Sequence, residues 1–161
     1  MTDIANRGTG EQTVDLGIVS REMVRLFKSQ FGRGPTVSRT HWAGPDTIIC
    51  ILEDTLTPAE RKLIDLGQHQ AVRDIRTALE HATVPEFCAP IEALTGRKVK
   101  AFTSALDTVA DGLAMEMWVL HPVGYEGVGR VERGSQIGEI GPAGRRIRTN
   151  VSDGFGPIAP A

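Results

Sequence analysis

The chain of 161 residues is poor in several of the features that usually announce a function. It has 2 cysteines, with no CxxC spacing and no histidine near either, so a zinc site or redox pair is not expected and Cys50 and Cys88 read as buried free thiols. Its 4 histidines, His41, His69, His81 and His121, have no second histidine at ligand spacing, which removes metal from the reading. Lys and Arg number 18 against 20 Asp and Glu, and they are scattered. No concentrated basic face follows from that pattern, and DNA is excluded as a partner. The longest apolar run, Thr47 to Leu52, is far below the ~20 residues of a membrane span. Met1 to Gly10 has neither a basic nor an apolar leader region, so a cytoplasmic location is expected. A nucleophile elbow and a carboxylate pair in an apolar run are also lacking. No catalytic residue and no cofactor is assigned, and a binding role is expected ahead of an enzymatic one.

What is present is periodicity. Thr57, Pro58 and Glu60 have the form of a capping box with proline at the first helical position. From there Leu63, Leu66, Ala71, Ile75, Leu79 and Ala82 make one apolar stripe on a polar helix, and Gly67 predicts a kink or a break near Gln68. Upstream, order is expected to begin near Val14, with Ile18, Val19, Met23, Leu26 and Phe27 at helical spacing and Gly32 as the left-handed residue closing the helix. The turn Gly32-Arg33-Gly34-Pro35 leaves a helix and enters a strand, the reverse of a phosphate-cradling loop. The β-branched runs Thr36 to Trp42 and Thr47 to Glu53 flank Ala43-Gly44-Pro45-Asp46 and predict a hairpin.

After a break between His81 and Pro85, a short helix is expected to end at Thr95-Gly96. Strands at Val99 to Ser104 and Leu113 to Leu120 make a second hairpin, with Leu113, Met115, Met117 and Val119 on one face and Trp118 on the other. The fold class is therefore α+β, a two-layer sandwich of a four-stranded antiparallel sheet with helices on one face, in the order α-β-β-α-α-β-β. Residues 1–13 are expected as a flexible arm, 14–122 as the domain, and 123–161 as a Gly/Pro/Arg-rich disordered tail. Each half also reads helix, Gly-Arg, hairpin, a pattern an internal duplication would leave, although the identity between the halves is thin.

Two surfaces are candidates for binding. His69, Arg73 and Arg76 fall on one helix face if the helix continues, and with Arg33 they could clamp a small anion or a nucleotide phosphate through planar guanidinium forks. Trp42, Phe102 and Trp118 are expected on the sheet face away from the helices. There they would serve a homodimer interface or, as an alternative, stack the bases of a single-stranded nucleic acid.

GRGP (32–35), LTPAERKLIDLG (56–67), VRDIR (72–76), IEALTGRKV (91–99) and the closing MEMWVL (115–120) together resemble the MpsC-like family, formerly a domain of unknown function. The resemblance covers Val14 to Leu120. It implies a link to a sodium-translocating, membrane-potential-generating system, and it brings no catalytic residues with it. Since no span is visible in the sequence, it further implies an accessory or regulatory protein with a membrane transport protein as partner.

Overall fold

The structure, a computed structural model, describes residues 14–134. The expected arm at 1–13 and most of the expected tail, 135–161, lie outside the described residues. Helix α1 (Leu16–Phe31) starts at Asp15, whose carboxylate accepts the Gly17 amide, and it ends at Gly32 with φ 73°. That positive φ suits glycine, because a side chain there would crowd the carbonyl. Strands β1 (Val37–Trp42) and β2 (Thr47–Glu53) form the first hairpin. Helix α2 (Pro58–Asp65) opens with the capping box: Thr57 accepts the Glu60 amide and the Glu60 carboxylate accepts the Thr57 amide.

The glycine at position 67 breaks the predicted long helix in two. Gly67 adopts φ 74° and α3 (His69–Thr95) begins two residues later. Within α3, Thr83 departs from helical geometry at φ −120°, and the helix resumes ahead of Pro85. A proline cannot donate to the preceding turn, so the expected break falls where the ring requires it. Strands β3 (Val99–Asp107) and β4 (Leu113–Leu120) follow. β3 runs three residues past its predicted end because Leu106 and Asp107 still pair with Ala114 and Leu113. Helix α4 (Arg130–Gly134) then packs on α3 and β3, with Lys98 bonded to Glu132 and Val131 against the core. Helix α4, within the expected tail, thus packs on the domain.

The four strands are antiparallel throughout in the order β1-β2-β4-β3, an α+β fold with the predicted element order. The helices cover one face. Ile48, Cys50 and Leu52 of β2 and Ala114, Glu116, Trp118 and Leu120 of β4 are buried there with Met23, Phe27, Phe87 and Ile91 of α1 and α3.

Candidate functional site

The sheet register decides which predicted residues meet. Trp42 pairs with Ile48, Ile48 with Trp118, and Trp118 with Phe102, so all four side chains share one face. That face is the covered one. Trp118 is fully buried and donates its indole N–H to the Phe87 carbonyl at 3.2 Å, while Phe102 stacks between the Phe87 and Trp118 rings at 5.4 and 5.6 Å. Trp42 sits at the open end of the same row and is 38 % exposed. The expectation of an aromatic platform on the uncovered face is therefore corrected. Both faces of β4 are apolar, so its alternation alone could not tell which one the helices take. The aromatic rings of α1 and α3 match the Trp118 parity.

What lies on the uncovered face is the other parity. Ile49 and Ile51 of β2 stand beside Met117 and Met115 of β4, with Val119, Ala101 and Ala105 around them. Met115 is 38 % and Val37 45 % exposed, and no helix among the described residues crosses this side. Arg39, paired with Glu53, and His41 mark the β1 rim.

The predicted cationic cluster is dispersed in the same way. Arg76 is only 2 % exposed: its guanidinium holds Glu60 through two bonds of 2.6 and 2.8 Å, donates to the Thr55 carbonyl, and lies 3.8 Å from the Phe31 ring centre. Burial works against the Glu60 carboxylate, yet the Arg76 fork and the Thr57 amide outweigh it and hold Glu60 below its usual range. Arg33 lies elsewhere. It donates to the carbonyls of Asp54 (2.6 Å) and Leu56 (2.8 Å) and pairs with the Asp54 carboxylate, which Arg61 also reaches. Hydrogen bonding from Arg33, ahead of the Arg61 charge, keeps Asp54 well below the carboxylate range. His69 Nδ1 lies 2.8 Å from the Thr108 hydroxyl, and Arg73 donates to the same oxygen at 3.0 Å. Of the four residues, His69 and Arg73 share the Thr108 hydroxyl and Arg73 and Arg76 line one cleft, while Arg33 lies apart and Arg76 is committed to a buried ion pair.

A polar row absent from the sequence reading crosses the covered face. Ser104 Oγ is 2.8 Å from Glu80 Oε1 and 2.9 Å from Glu116 Oε1, joining α3, β3 and β4. Glu116 has no solvent exposure, and its second oxygen has no hydrogen-bond partner among the described residues. Burial, then the Glu80 charge, pushes the Glu116 carboxyl up to about 8, and burial raises Glu80 as well. Beside this row is a cleft of about 290 Å³ lined by Arg73, Arg76, Thr77, Glu80, Ser104 and Leu106. The signal that could have found Glu116 is its parity: it shares a strand face with Trp118 and Ala114, and a carboxylate between two core positions is seldom left ionised and unpaired.

Among the described residues no group of three or more His, Cys, Asp or Glu could hold a metal ion, and no helix is long and apolar enough to cross a membrane. No curated protein and no solved structure matches the chain. Over residues 17–121, which run from the second residue of α1 past the end of β4, the sequence matches the family described as the Na+-translocating membrane potential-generating system (MpsC), and the chain belongs to that family.

Proposed function

We propose that this chain is a non-enzymatic accessory or regulatory protein of a membrane ion-transport system and that it works as a homodimer closed over the uncovered sheet face. The observation carrying the dimer is the apolar centre Ile49, Ile51, Met115, Met117 and Val119, which has no helix over it among the described residues while the opposite side of the same sheet carries the core. Four strands about 4.8 Å apart and roughly seven residues long give a plan area on the order of 450 Å², the size of functional patches on small proteins. Side-chain relief raises that toward the ~800 Å² per partner of a stable interface. A second copy related by a two-fold axis lying parallel to the sheet offers the same apolar centre, with the Arg39–Glu53 pair at its rim. The transport link rests on family membership. With no spanning helix among the described residues, that role would be exercised through a membrane partner.

Size-exclusion chromatography with light scattering on the full chain tests the reading. A dimer at about 10 µM that Met117→Glu converts to a folded monomer is expected, because a carboxylate in an apolar interface costs several kcal/mol. A wild-type monomer up to ~100 µM, or a Met117→Glu dimer, overturns it. Crosslinked capture from native membranes that returns no ion-transport protein removes the transport half of the proposal.

A further inference from the structure

The row Glu80–Ser104–Glu116 poses a problem in counting hydrogens. A serine hydroxyl carries one proton and can donate to one acceptor. Here its oxygen lies at hydrogen-bond distance from two carboxyl oxygens, 2.8 Å from Glu80 and 2.9 Å from Glu116. If both carboxyls are ionised, one of these contacts is two oxygens facing each other with no hydrogen between them. If one is a neutral acid, its O–H donates to Ser104 and Ser104 donates onward, and both contacts are bonds.

Burial says which carboxyl keeps the hydrogen. Glu116 has no solvent exposure and its Oε2 meets no donor among the described residues, so its ionised form would be a charge in a dry interior with half its acceptors empty. Glu80 is half-buried at the lip of two adjoining clefts, one lined by Arg73, Arg76 and Leu106 and the other by His81, Val84, Phe102 and Arg130. It can be ionised there. The cations nearby do not close the account. Arg76 spends its fork on Glu60, Arg73 is bonded to Thr108 and Gln70, and His81 and Arg130 line the cleft without a bond to either carboxyl. From β2, Cys50 faces Glu116 across the ladder, and Cys88 of α3 is also near. Both thiols are raised by burial, Cys88 to about 12, so neither supplies charge.

We propose that Glu80, Ser104 and Glu116 form a proton-binding site in which one proton, seated on Glu116 and relayed through Ser104 to the cleft-facing Glu80, latches α3 to the β3–β4 hairpin. Proton loss leaves two carboxylates sharing one hydroxyl, and the repulsion falls on the contact between α3 and the sheet. The direction in which burial and the Glu80 charge move Glu116 agrees with this. The site lies on the opposite side of the sheet from the docking face and does not depend on it.

The test is a side-chain carboxyl 13C titration of the full chain from pH 5 to 10, with Glu116→Gln identifying the Glu116 signal. A Glu116 midpoint at or above about 7 is expected, some 2 to 3 units over an ordinary glutamate. Glu116→Gln, which keeps a neutral donor in place, should leave Glu80 raised, because burial and not a Glu116 charge raises it. The wild-type unfolding equilibrium constant should rise by up to about tenfold per pH unit between pH 5 and 8, and the variant should lack that rise. A Glu116 midpoint below about 5.5, or equal pH slopes for the two proteins, overturns the proposal. If the variant does not fold, the wild-type titration decides alone: a carboxyl with a midpoint at or above about 7 supports the proposal, and none above about 5.5 overturns it.

Discussion

In the first half of the chain α1 passes through Gly32 and Arg33 into β1–β2; in the second, α3 passes through Gly96 and Arg97 into β3–β4. The likeness extends to side chains. Gly32 and Gly96 both take positive φ, 73° and 65°. Arg33 donates to the carbonyl of Asp54, the first residue after β2, and Arg97 donates to that of His121, the first residue after β4. The sheet order β1-β2-β4-β3 places the two hairpins back to back. Where the halves part company is the polar row under the helices. In the first it is Ser20, Thr40 and Cys50, with the two hydroxyls 2.7 Å apart; in the second it is Glu80, Ser104 and Glu116. The same architectural place is filled by neutral groups in one half and by carboxyls in the other. The fold therefore does not require acids there, and what the acids add is response to pH.

The largest test of the comparison removes a residue that, beside the β2–β4 ladder, ties the halves together. Arg76 of α3 reaches Glu60 of α2 and the Phe31 ring of α1. Arg76→Ala strands a buried carboxylate, for which about 3–5 kcal/mol is the usual cost. Chemical denaturation should show this loss, and it should shrink when Glu60→Gln is added, because the uncompensated charge is then gone. A loss below about 1 kcal/mol would mean that the halves hold together without the pair.

A matched pair of substitutions then asks whether the two Gly-Arg corners are alike. Arg33→Ala and Arg97→Ala each remove two guanidinium bonds to backbone carbonyls, Arg33 from Asp54 and Leu56 and Arg97 from His121 and Pro45. About 2 kcal/mol is expected from each by urea unfolding. They should differ in salt dependence. Arg33 also pairs with the Asp54 carboxylate, so added salt should narrow the gap between wild type and Arg33→Ala and leave that for Arg97→Ala unchanged. Gly32→Ala and Gly96→Ala are expected to cost about 1 kcal/mol each, and equally, since nothing lies within reach of an added Cβ at either and only the left-handed backbone opposes it.

These corners were legible because glycine, proline and capping residues act locally: Gly32, Gly67, Gly96 and the Thr57–Glu60 box end or start elements wherever the chain goes. The sandwich followed from them together with the two β-branched hairpins. What stayed hidden depends on pairing across the chain. Trp118 and Met117 are neighbours in sequence on an apolar strand, and only the register with Ile48 and the rings of α1 and α3 sends one inward and leaves the other half-buried on the uncovered face. Arg76 reads as a solvated helix position until the break at Gly67 folds α2 back and brings Glu60 beside it. Glu116 carries no local signal beyond its parity, since its partners lie on α3 and β3.

The smallest expected effect is the most discriminating. Ser20→Ala removes the hydroxyl bonded to Thr40 in the neutral row, and Ser104→Ala removes the hydroxyl between the two carboxyls. Each bond lost costs about 1 kcal/mol. In the neutral row no group titrates between pH 5 and 8, so the loss from Ser20→Ala should be the same at both ends of that range. In the acidic row the folded Glu116 carboxyl, raised to about 8, keeps its proton where the unfolded chain has already released it. The folded state then binds more protons, and its stability is greatest at low pH and falls as pH rises through about 8. Ser104→Ala removes both the acceptor of the Glu116 O–H and the donor to Glu80, so it costs more at low pH, where two bonds are lost, than at high pH, where one is, and the pH slope of stability should flatten. Urea unfolding of both variants at pH 5.5, 7 and 8.5 would read the difference. Parallel curves would make the two rows chemically equivalent, and divergence confined to Ser104→Ala would locate the pH response in the second half of the chain.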